Sequence, residues 1–160
     1  MIDMAGGKRS EGFTLVEVLV SVLVLGIGLL GLAGLQNVAI RAGYSALQHS
    51  QASWLASEMA DLLRANPDAA RAGAYDTNFL DVAAGCPKSA GSTRAQLDLG
   101  QWQADVCETL RGSGSGSVQV VHSGDQYSVV IAVRWDDRGA RERLGEAGNA
   151  WETFTYRAGL

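Results

Sequence analysis

Glu17 is a carboxylate set into an apolar run. From Val18 to Leu35 the only polar side chain is Ser21. A charged side chain at the centre of a bilayer costs at least ~2.5 kcal/mol, and less near an interface. Glu17 therefore needs compensation, from a partner charge or from a position in the headgroup region. The other residue types with reactive potential are few. Cys86 and Cys107 are the two cysteines, and His49 and His122 the two histidines. Neither histidine has ligand spacing to the cysteines, so a metal site is poorly supported and no cofactor is implied. His122, Asp125 and one of many serines have the composition of a hydrolytic triad, but a serine-rich chain offers such combinations by chance. Gly112-Ser113-Gly114-Ser115-Gly116-Ser117 reads as a flexible loop. It is not a phosphate cradle, because no Gly-Lys-Ser/Thr follows and the next segment has strand character.

The element that must position Glu17 is a helix. Phe13 to Leu35 is about 23 residues, or ~35 Å at 1.5 Å per residue, enough to cross a hydrocarbon core of ~30 Å. Lys8 and Arg9 precede it, which keeps the N-terminus cytoplasmic and exports the rest. A cleaved secretory signal fits less well. Its apolar region is usually ~7–15 residues, and no clear small-x-small cleavage site follows this run before the helix pattern resumes. Gly26, Gly28, Gly31 and Gly34 lie inside the helix. Two readings compete for them: close helix packing, as small residues allow in membranes, or a stretch that extends on leaving the bilayer. Exported cysteines meet an oxidising compartment. Cys86 and Cys107 then read as one intramolecular disulfide closing a loop of about 20 residues, worth roughly 3 kcal/mol. Free thiols or an intermolecular bridge are the alternatives.

Gly12-Phe13-Thr14-Leu15-Val16-Glu17, with the apolar helix behind it, resembles the processing motif of type IV prepilins and type II secretion pseudopilins. The resemblance implies cleavage by a prepilin peptidase between Gly12 and Phe13 and methylation of the new Phe13 amine. It also implies pairing of Glu17 with the Phe13 amine of a neighbouring subunit during assembly. The spacing is compatible with this chemistry. Glu17 lies four residues after Phe13, one turn along on roughly the same face. A buried charge left alone is strongly unfavourable, while a paired one is tolerable. Many major pilins carry a proline near the position of Gly34, and this chain does not.

The helix pattern continues past Leu35. Tyr44, Leu47, Gln51, Leu55, Met59 and Leu62 step by three or four residues, with Trp54 and Leu63 broadening the stripe, and are read as core. Asn66-Pro67 ends the helix, since a residue before proline is pushed out of the α region. One helix from 13 to about 65 would be ~80 Å long. Residues 67–116 read as loop with short turns, and a short helix is expected from Gln101 to about Leu110. Val118–His122, Tyr127–Trp135 and Trp151–Arg157 read as strands. Ser123-Gly124-Asp125 supports a hairpin and Asp136-Asp137-Arg138-Gly139 a turn. The expected fold is α+β and pilin-like, a long N-terminal helix packed on a small antiparallel sheet. Its parts are a leader (1–12), a transmembrane or filament-core helix (13–35), an amphipathic helix (36–66) and a globular head (67–160).

The tract from Gly12 to Asn66-Pro67, the cysteine-bearing region and the strand ending Arg134-Trp135-Asp136 are similar to the PilV-type minor pilins. That resemblance implies a structural subunit, not an enzyme, which primes pilus assembly in a minor-pilin complex at the tip and supports twitching and adhesion. Its implied partners are other minor pilins, the major pilin, the prepilin peptidase and the inner membrane. Its implied path runs from a single-pass inner-membrane protein with a periplasmic head to the pilus surface. Alternatives are a minor pseudopilin of type II secretion, a membrane-anchored periplasmic enzyme and a DNA-uptake pilin. The net charge of −4 argues against direct nucleic-acid binding. Arg138, Arg141 and Arg143 form a local basic set, interleaved with Asp136, Asp137, Glu142 and Glu146 in a solvated loop.

Overall fold

The computed structural model describes residues 12–124, 126–137 and 151–160. Its elements are α1 (Leu15–Ala65), α2 (Pro67–Arg71), α3 (Arg94–Thr109), β1 (Ser115–Ser123), β2 (Gln126–Asp136) and β3 (Trp151–Gly159). The chain forms two compact units, one ending at Arg41 and one spanning Ala42–Leu160. This is the α+β, pilin-like arrangement of a long N-terminal helix and a three-stranded antiparallel sheet.

In the first unit the described residues are almost all helix, and every side chain is exposed. Helix α1 runs without interruption through Gly26, Gly28, Gly31 and Gly34. A Cβ at any of the four would meet nothing within 4 Å. No contact among the described residues therefore explains these glycines.

The second unit holds the hydrophobic core. Its strands form a meander in the order β1-β2-β3. The β1–β2 register runs from Ser115↔Arg134 to Ser123↔Gln126, the tight hairpin that Ser123-Gly124 suggests, with Gly124 at φ 62°. Along β2, Val129, Ile131, Val133 and Trp135 are buried while the alternate residues are partly or wholly exposed, the period-two signature of a half-buried strand. Onto that face packs the outer half of α1. Ala52, Ala56 and Ala60 form one row spaced by four, and Leu55, Met59 and Leu63 form the next. Both rows are buried in one hydrophobic cluster with Val129, Ile131, Val133 and Trp135 of β2.

The stripe expected on α1 is corrected in part. Leu55, Met59 and Leu63 are in the core and Leu62 packs against it. Tyr44 and Leu47 are exposed because the covered stretch of the helix begins at Ala52. Trp54 is 65% exposed, since it points about 100° away from Leu55 around the helix.

Helix α3 begins at Arg94, seven residues before the expected start at Gln101. Thr93 caps it: the Thr93 Oγ1 accepts the Gln96 N–H, and Gln96 Oε1 accepts the Thr93 N–H, each at 3.3 Å. Trp102 on α3 donates its Nε1–H to the Leu55 carbonyl across the core at 2.8 Å. Cys107, fully buried on α3, forms a disulfide with Cys86 in the preceding loop, with Cα atoms 5.5 Å apart.

The Gly112–Ser117 run is the clearest departure from expectation. Ser115, Gly116 and Ser117 are not a flexible loop but the buried start of β1. The Gln103 side chain, 4% exposed, grips Gly116 at both ends. Its Nε2 donates to the Gly116 carbonyl at 2.7 Å and its Oε1 accepts the Gly116 N–H at 3.2 Å. A Cβ at Gly116 would overlap the Trp102 ring, and one at Gly114 would overlap the Val106 carbonyl. Glycine here permits close approach of strand and helix rather than mobility. The serines are used as well: Ser115 Oγ accepts the Leu80 N–H at 2.7 Å, and Ser113 Oγ accepts the Asp136 N–H at 3.3 Å.

A polar knot closes the end of α1. The buried Tyr75 hydroxyl donates to Asp98 Oδ2 at 2.9 Å and accepts from Asn66 Nδ2 at 3.3 Å. Arg94 Nε pairs with the other Asp98 oxygen at 2.8 Å. Burial pushes the Tyr75 phenol above its ordinary range, and the bond to Asp98 adds to that.

Candidate functional site: the N-terminal segment

The start of α1 is set by Thr14. Its Oγ1 accepts the Glu17 N–H at 3.3 Å, and its carbonyl accepts the Glu17 and Val18 N–H groups at 3.1 and 3.3 Å. Thr14 is thus the N-cap, and Glu17 stands three residues into the helix. Threonine at the cap and glutamate three residues on is the capping-box spacing, which the sequence displays and which reading Glu17 only as a charge in an apolar run overlooks. A carboxylate in the first turn also interacts favourably with the helix dipole. Below it, Ser21 Oγ donates to the Glu17 carbonyl at 2.7 Å, so the single polar residue of the run is satisfied within the helix.

Glu17 itself is exposed, as are Phe13, Leu15, Val16 and every apolar residue on to Val38. Such a surface is stable in water only when something else covers it, whether lipid or other helices. An 18-residue window of α1 has mean hydropathy 2.6, long and apolar enough to cross a membrane. The expected processing point, Gly12–Phe13, lies just before the cap, ahead of the helix. Lys8 and Arg9 fall outside the described residues.

The other sequence candidates are dispersed. His49 packs edge-on against Trp135, with ring centroids 4.9 Å apart. His122 packs against Tyr127 at the hairpin end of the sheet, at 4.8 Å. Asp125 and the Arg138, Arg141 and Arg143 set lie outside the described residues, as do residues 138 and 139 of the expected 136–139 turn. Among the described residues no cluster of three potential metal ligands occurs.

Comparison with known families decides what the N-terminal segment is. Residues 7–33 match the prokaryotic N-terminal methylation motif. No match was found among curated proteins or among solved structures. The motif supports a type IV pilin-like or pseudopilin protein, and it implies processing by a prepilin peptidase and assembly with other pilins. Motif and apolar helix together fit a pilin anchored in the inner membrane. Within the matched residues, the cap at Thr14 and the carboxylate at Glu17 sit at the head of an exposed apolar helix.

Proposed function

We propose that the chain is a minor pilin of the PilV type, which primes type IV pilus assembly within a tip complex and serves twitching and adhesion. The observation that carries this reading is the methylation motif at the head of a helix that continues into a small disulfide-bearing α+β unit. The leader is residues 1–12. Peptidase cleavage between Gly12 and Phe13 frees an amine one turn before Glu17, and methylation of Phe13 follows. In a bundle of such helices, Glu17 pairs with the Phe13 amine of a neighbour, which removes the penalty of an unpaired buried charge and sets subunit register. The exposed apolar face of residues 13–35 is covered first by lipid, then by other pilin helices. The second unit stays outside the membrane and presents its surface to partners. No enzymatic step is required of this chain.

A minor pseudopilin of type II secretion uses the same motif and is the second reading. Deleting the gene and scoring both twitching and exoprotein secretion separates them. Loss of twitching with normal secretion is the expected result. Normal twitching with impaired secretion would overturn the pilus assignment in favour of the pseudopilus.

A further inference from the structure

The outer face of the sheet carries a cation in an unusual setting. Arg134 lies on β2, on the face opposite to buried Val133 and Trp135. Its guanidinium carbon is 4.3 Å from the centroid of the Phe79 ring and 4.9 Å from that of Trp151. The rings reach it from opposite sides of β2. Phe79 follows Thr77, whose backbone pairs with Val118 on β1. Trp151 begins β3, the strand on the other flank.

Two rings satisfy the charge but not the donors. The ion pairs among the described residues are Arg64–Asp61, Arg71–Asp68 and Arg94–Asp98, and Arg134 is in none of them. Its Nε–H is buried without a hydrogen-bond partner. Native proteins fill nearly all such donors, so an unfilled one asks what fills it. A guanidinium presents its donors along the edge of a plane, in a fork that matches the two oxygens of a carboxylate. Rings that brace its flanks hold that plane in place, so little freedom is lost when an acceptor arrives.

We propose that Arg134, braced by Phe79 and Trp151, is a receptor for a carboxylate, presented as an Asp or Glu side chain by a partner protein. A monoanion suits the site better than a phosphate dianion. Asp136, two residues on along the same face and engaged in contacts of its own, adds a negative charge that opposes a dianion more strongly. Arg134, Phe79 and Trp151 are each partly exposed, as suits a side chain carried on another chain. The proposal concerns the sheet alone and stands apart from the pilin assignment.

The test is an NMR titration of the full chain in detergent micelles with 15N-labelled arginine, following the Arg134 Nε–H signal. The probes are a capped peptide of alternating Asp and Ser, its Asn and Ser counterpart, and sodium chloride at matched ionic strength. The expected result is a saturable shift with the Asp peptide and binding at least tenfold weaker for the Asn peptide. Phe79→Ala, which keeps the arginine and removes one brace, should weaken the Asp peptide severalfold. Sodium phosphate should bind less well than sodium acetate. An equal response to chloride and to the Asp peptide would overturn the proposal, as would unchanged affinity in Phe79→Ala. If phosphate outcompetes acetate, the site is a phosphate receptor and the proposal fails in its ligand class.

Discussion

At the scale of single residues, the size of a side chain does not set its weight in the fold. Gly116 has no side chain, yet Trp102 lies against its Cα and Gln103 holds both its backbone polar groups. Gly116→Ala should therefore destabilise the protein by about 1–3 kcal/mol, the usual range for overpacking. Trp54→Ser, at a large but exposed side chain, should change stability by no more than ~0.5 kcal/mol. Urea denaturation of both variants in the same detergent checks the contrast. Equal losses would show that the packing around Gly116 or the exposure of Trp54 is misjudged. Glu17 separates folding from assembly in the same way. Its N–H, not its side chain, is what Thr14 Oγ1 caps. Glu17→Ala should therefore keep the helix and the cleavage while lowering incorporation into the filament. Immunoblots of sheared pili and of membranes measure both, and normal incorporation of the variant would refute the pairing argument.

At the scale of elements, local signals and long-range packing divide what the sequence reveals. The apolar run, its end at Asn66-Pro67 and the three strands are legible because each rests on local periodicity or on proline chemistry. The early start of α3 is also written in the sequence, in Thr93 and Gln96 at capping-box spacing, though it sits amid Ala, Gly and Ser of loop character. The helix face is legible at Leu55, Met59 and Leu63 but not at Ala52, Ala56 and Ala60, buried residues whose small side chains give a weak hydropathy signal. The Gly-Ser run could not be read at all. Its role comes from Trp102 and Gln103, which only the fold brings to it. The Cys86–Cys107 bridge ties the loop before α3 to the buried face of that helix. Cys86→Ser with Cys107→Ser should lower stability by roughly 3 kcal/mol on the chain-entropy model. Thermal unfolding with and without reductant measures it: the wild-type protein should lose stability on reduction, and the double variant should not respond.

At the scale of the whole molecule, the two units have different relations to their surroundings. The second builds its own core from α1, α3 and the sheet. The first, among its described residues, buries no side chain and exposes an apolar helix headed by a capping threonine and a carboxylate. A chain with that composition depends on other hydrophobic matter for half of its long helix, and the methylation motif indicates how it is delivered there. The central claim is that a peptidase and a methyltransferase act at this point. Intact-mass spectrometry of the protein from its native host tests it most directly. The predicted mass is that of a chain beginning at Phe13 with one added methyl group and two fewer hydrogens for the disulfide. A mass that retains residues 1–12, or a cut elsewhere, would contradict the account.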